Sequence, residues 1–216
     1  MNPAPYLPDV FNEHVSDSLQ RDILQRVILK GYSEAADEAD TKYEPEQAHD
    51  VRGQIRRAKI EGLLRGVTAR HKNNGIEALA QSNNNQSAYH VLLRCGLIVL
   101  TQSVVKNPRA MVSPSRFRET YARNYQLTFD PSENQLRVGP SNGIYAIIIH
   151  APIRTHPKWP RFVHAVFPNA YCTGYIDRVD LLAKFRDLPE LKATDTEVIS
   201  DIIDLDIRKT AQASGG

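Results

Sequence analysis

With 216 residues, 41% hydrophobic and 24% charged, the chain has an ordinary globular composition and room for one large domain. A chain this long removes roughly 70% of its unfolded surface from water, so neither a metal nor disulfides are needed to hold a core. Cys95 and Cys172 lie far apart, offer no metal-ligand spacing and fit a reducing compartment; no basic, apolar leader opens the chain and no apolar run exceeds Ile144 to Ile149, so the expectation is a cytoplasmic protein with no disulfide and no membrane partner.

The net charge of +2 conceals a segregation along the chain. Seven acids stand against one lysine between Glu34 and Asp50, whereas seven bases stand against Glu61 alone between Arg52 and Lys72. A second basic zone runs through Lys106, Arg109, Arg116, Arg118 and Arg123, and a second acidic one from Asp187 to Asp206. The arrangement predicts acidic helices lying beside basic ones.

In chain order, Leu19, Ile23, Leu24, Val27 and Ile28 recur at helical spacing after the capping candidates Ser16 and Asp17, with Gly31 expected as a left-handed C-cap. Glu46 to about His71 reads as one long helix, or two broken near Gly62. A short helix is expected at Ile76 to Ala80, between the polar segments 72–75 and 82–87. Tyr89 to Arg94 and Leu97 to Val104 form a hairpin around Cys95-Gly96. Ser113-Pro114-Ser115 opens a helix at Arg116 to Ala122. Strands follow at Gln126 to Phe129, Gln135 to Val138, Ile144 to Ala151 and Arg161 to Phe167, with a shorter one at Tyr171 to Ile176. The Ile144 strand is apolar at both alternating positions and should be buried on two faces. Helices are expected at Asp177 to Phe185 and about Asp195 to Lys209. The whole predicts an α+β fold in a single domain, residues 1–210. A helical part, 1–81, precedes a mainly antiparallel sheet of five or six strands, 88–176; C-terminal helices, 177–209, pack on it and a disordered tail, 211–216, follows.

Three functional readings follow. On a helical projection Arg52, Arg56, Lys59 and Arg70 fall in one sector, and spaced cations on a helical edge can contact successive phosphates; with Arg116, Arg118 and Arg123 they suggest an accessory or regulatory protein that binds DNA or RNA. That reading requires the row to face open water, and it fails if the acids between Glu34 and Asp50 clamp the row across a helix interface. Alternatively, His150 and His164 lie on neighbouring strands near Tyr175 and Asp177, and antiparallel pairing could gather them into a general base with an orienting carboxylate. That enzyme reading fails if the rings lie on opposite faces of the sheet. The third reading sets the acidic segment Asp187 to Asp206 against the basic helix of a second copy, or the basic helix against an acidic protein.

Familiar chemistries are absent. The strand pair containing Gln126, Asp130 and Arg137-Val138-Gly139 lacks the Glu-x-Lys that a metal-dependent nuclease needs on its second strand. No phosphate-loop, dinucleotide, zinc-protease or nucleophile-elbow motif is present, and no metal or cofactor is expected. Gly139 to Gly143 reads as a strand connector, the cysteines as buried or turn thiols, and Arg154 to Pro160 as a surface loop whose Trp159 packs down on the sheet.

Overall fold

The computed structural model describes residues 6–71, 75–82, 89–125, 127–130, 135–138 and 143–192. Helices α1 (Leu7–His14) and α2 (Asp17–Asp22) lead into a π-helical segment, Ile23–Leu29, which continues into α3 (Lys30–Lys42). Ser16 caps α2 by accepting from the Leu19 N–H, as its position before the apolar series suggests. The helix does not stop at Gly31. That glycine marks the crossing with α4 (Pro45–Arg70), because a Cβ there would come within 2.6 Å of Ile60 Cγ1. Close approach, not chain reversal, is what it supplies. Helix α4 runs unbroken for 26 residues through Gly53, Gly62 and Gly66.

The main sheet has six strands in the order β1 (Ile76–Ser82), β2 (Tyr89–Cys95), β3 (Ile98–Val104), β6 (Ile144–Pro152), β7 (Pro160–Pro168) and β8 (Tyr175–Asp180). Strands β4 (Leu127–Asp130) and β5 (Gln135–Val138) form a separate two-stranded ladder. The fold is therefore α+β, but its sheet is mixed. It is antiparallel except where β3 runs parallel to β6, and that parallel pair requires the long crossover carrying α5 (Arg116–Asn124). Two assignments change. Ile76 to Ala80 is strand, because pairing with β2 through the register Ile76 to Cys95 overrides the helix preference of Glu77-Ala78-Leu79-Ala80. Asp177 to Asp180 is also strand, laid against β7, so β8 begins at Tyr175 rather than Tyr171. Only Leu181–Lys184 (α6) and Pro189–Lys192 (α7) are helical thereafter. The expected helix at 195–209 and the tail 211–216 lie outside the described residues.

Each face of the sheet carries its own core. Leu93, Leu100, Ala146, Ile148, Val163 and Ala165 face α1, the long α2–α3 helix and α4, whereas Leu92, Val99, Tyr145, Ile147, Ile149 and Val166 face α5 and the crossover. Strand β6 is buried on both faces, as its unbroken apolar run suggests. Trp159 packs on the first of these cores from its surface loop. Among the described residues no helix is long and apolar enough to cross a membrane, and Cys95 and Cys172 are both free thiols.

Candidate functional site

The four cations of the predicted row on α4 are engaged within the molecule. Arg52 meets Asp40 at 2.6 Å, Lys59 meets Glu38 at 2.8 Å and Arg70 meets Asp22 at 3.1 Å. Arg56 is only 5% exposed and lies over the Tyr32 ring at 4.4 Å. Acidic α3 and basic α4 thus neutralise one another across their shared seam, which removes the row of free cations on α4. On α5, Arg116 is exposed, Arg118 is half-buried and Arg123 lies over Tyr171 at 5.7 Å.

The two strand histidines part company. His150 is in register with Val163 and points to the α4 side, whereas His164 stands opposite Ile149 and points to the α5 side. Adjacent strands place side chains at paired positions on the same face, so the proposed cluster of His150, His164 and Asp177 is not formed. His164 does find a carboxylate, Asp180, with Nε2 3.3 Å from Oδ2. Asp177 accepts from the Arg178 N–H, and the Tyr175 hydroxyl bridges Ala110 O and Val112 N–H.

A different constellation forms where β2 and β3 separate. The hairpin pairs at Leu93–Leu100, Arg94–Val99 and Cys95–Ile98, next to Gly96, whose φ of +55° makes the turn. Beyond those positions two α4 side chains one turn apart take over the partnership with β2. Glu61 Oε2 accepts from the Val91 N–H at 2.5 Å, and Arg57 donates to Tyr89 O at 3.2 Å. The strands form a fork with α4 on one side and α5 on the other. A cleft of about 350 Å³ occupies it, lined by Arg57, Glu61, His90, Ser103, Ser115 and Arg118 among others.

From Glu61 a chain of hydrogen bonds runs inward, and its directions can be assigned. Gln102 Nε2 donates to Glu61 Oε1 at 2.6 Å, which leaves Gln102 Oε1, an acceptor, 3.1 Å from His150 Nε2. The His150 ring is fully buried and burial lowers its pKa to about 3, so it is neutral with its proton on Nε2. Its bare Nδ1 then accepts from the Tyr32 hydroxyl at 2.9 Å. His150 is therefore a satisfied interior residue that anchors the cleft carboxylate from behind. Burial raises the Glu61 pKa against the opposing hydrogen bonds and the nearby Arg57 and Arg118.

The cleft wall opposite Glu61 has the reverse character. His90 is 5% exposed and stacked on Phe117 at 3.9 Å, and neither ring nitrogen has a hydrogen-bond partner. Ser115 Oγ and Arg118 Nε are likewise buried and unpartnered. The remaining Arg118 nitrogens are fixed by Ser113 O at 2.7 Å and Ser103 Oγ at 3.1 Å. Burial, then the charges of Arg118 and Arg57, lower the His90 pKa and favour the neutral ring, with one donor and one acceptor. Buried polar atoms are nearly always paired; among the described residues three of those that break the rule line this cleft, the others being Arg52, Arg56 and His164.

His90 and Ser115 escape a motif-based reading because their environment is made by strands that fail to pair. The one trace in the chain is Glu61, the lone acid among the bases of 52–72. Among the described residues no group of three or more His, Cys, Asp or Glu could hold a metal ion. No protein-family model, curated protein or solved structure matches the chain.

Proposed function

We propose that the fork between β2 and β3 binds the phosphate group of a small organic molecule, with His90 as the acid–base residue beside it. The observation that carries this reading is the convergence of unpartnered His90, Ser115 Oγ and Arg118 Nε on one cleft that Arg57 also lines. Two guanidiniums, two hydroxyls and an imidazole offer more donors than a carboxylate can accept, and they suit the tetrahedral array of phosphate oxygens. A neutral His90 can donate from one nitrogen and take a proton on the other, which is what proton transfer at a bound ester or an attacking water requires. The enzyme reading thus moves from His150 and His164 to His90. The nucleic-acid reading loses its four α4 cations and keeps Arg118 as a shared residue.

The test is a titration with inorganic phosphate, read by calorimetry and by the ¹⁵N resonances of the His90 ring. Binding should shift those resonances, and S115A should weaken it about tenfold. Because the Ser115 hydroxyl is buried without a partner, S115A should also leave the fold as stable or more stable. No response of the His90 ring to millimolar phosphate overturns the reading. A single-stranded oligonucleotide that binds far more tightly, with affinity falling steeply with salt, replaces it by the nucleic-acid alternative.

A further inference from the structure

Glu61 and His90 also border a second hollow, of about 450 Å³, on the β1 side of β2. Its other lining residues are Ala58, Gly62, Arg65, Ala80, Tyr89 and Val91. The chemistry changes from one hollow to the next. Where the first presents hydroxyls and guanidiniums, the second presents methyl groups, a bare helix backbone and the ring of Tyr89, which is 65% exposed. Arg65 alone adds a charge to that of the shared Glu61, and its long stem and planar head can lie along an apolar or ring-bearing ligand.

Gly62, like Gly53 and Gly66 of the same helix, has no packing reason to be glycine, and of the three it is the one that lines this hollow. A Cβ built there meets nothing within 4 Å, and its place inside a 26-residue helix disfavours the helix by about 1 kcal/mol relative to alanine. What the missing side chain leaves is open space directly over α4, facing the side of β2 on which Val91 pairs with Ala80. The two hollows share Glu61 and His90 in their linings, and a polar hollow next to an apolar one fits the two parts of one molecule.

We infer that the ligand is a phosphate monoester with an apolar, ring-bearing body. Its phosphate lies against Arg57, Arg118 and Ser115, and its body lies over Gly62 against Tyr89. This inference rests on the phosphate reading, and the two can fail separately. The experiment compares inorganic phosphate with phenyl phosphate by calorimetry, in the native protein and in G62L. Leucine is a strong helix former and its Cβ has room, so G62L should fold, with an unchanged far-ultraviolet spectrum and a melting temperature at or above that of the native protein as the check.

Phenyl phosphate should bind the native protein at least tenfold more tightly than inorganic phosphate, because ring burial adds apolar transfer. G62L should abolish that advantage while changing inorganic phosphate affinity by less than twofold. If inorganic phosphate binds and the phenyl ester binds no more tightly, or if its advantage survives G62L, the apolar subsite is wrong and the phosphate reading stands. If neither probe binds, the phosphate reading falls and takes this inference with it.

Discussion

Helix α4 has two polar margins of opposite character. Along α3, Arg52 and Lys59 each meet a carboxylate, and Lys158 reaches over from the β6–β7 loop to Asp37 at 2.6 Å. Along the fork, Arg57 and Glu61 bond the open edge of β2, while the wall facing them leaves His90, Ser115 and Arg118 with buried atoms unpaired. Guanidinium Nε atoms are buried without a partner on both margins, Arg52 and Arg56 along α3 and Arg118 in the fork, so neither charge density nor hydrogen-bond completeness separates them. The kind of group left unpaired does: the fork adds an imidazole and a hydroxyl, His90 and Ser115.

The strongest way to break this contrast is to cut the cleft carboxylate from its interior support. In Gln102→Leu, both Glu61 Oε1 and the His150 Nε2–H lose their partner inside the protein. The expected loss is about 3 kcal/mol, the cost of an exposed fault in a buried charged network, measured by urea unfolding. A loss below 1 kcal/mol would mean that the relay from Tyr32 to Glu61 does not hold the fork.

Acid should sharpen the same contrast. The folded pKa of His150 lies far below that of an unfolded histidine, and that of His90 is also lowered, so the unfolded chain binds more protons and stability falls as pH is lowered. For His150 alone the fall between pH 6.5 and pH 5 is on the order of 1–2 kcal/mol, continuing towards its folded pKa of about 3. Glu61 works in the opposite sense. Its raised pKa adds stability as pH falls through the carboxylate range, so it opposes the histidines only in stronger acid. A urea midpoint that stays flat from pH 6.5 to pH 5 would contradict a neutral, buried His150.

The smallest effect belongs to the closed margin. Asp40→Asn removes the charge from a half-exposed pair with Arg52 and should cost about 0.2–1 kcal/mol, a cost that shrinks with added salt. Phosphate affinity in the fork should not change. A large change there would tie the two margins together and undo the comparison.

Much of this architecture is legible in the chain. Gly96 marks the β2–β3 turn, which falls one residue later than expected, at Gly96-Leu97, the unbroken run from Ile144 marks the central strand, and the adjoining acidic and basic blocks mark the α3–α4 seam. The rest depends on partners distant in sequence. Ile76 to Ser82 has a helix former's composition and becomes strand because β2 offers it a complete register. Gly31 looks like a helix end and is instead the contact point with Ile60. His150 and His164 look like a pair until strand register separates them by face. The fork is hardest to foresee, since no pattern in Tyr89 to Val104 announces where the ladder stops and Glu61 begins to substitute for it.

The parallel pairing of β3 with β6 has one more consequence. The chain between Val104 and Ile144 is a single loop closed by that pairing, and α5, with Arg118, Ser115 and Phe117, rides on it. Loop-closure entropy grows only with the logarithm of length, so doubling this connection would cost about 0.6 kcal/mol. Part of the cleft lining is thereby carried on a connection that can be lengthened at small entropic cost outside the core residues Val112 and Ala122, while Glu61 and Gln102 stay fixed to α4 and the sheet.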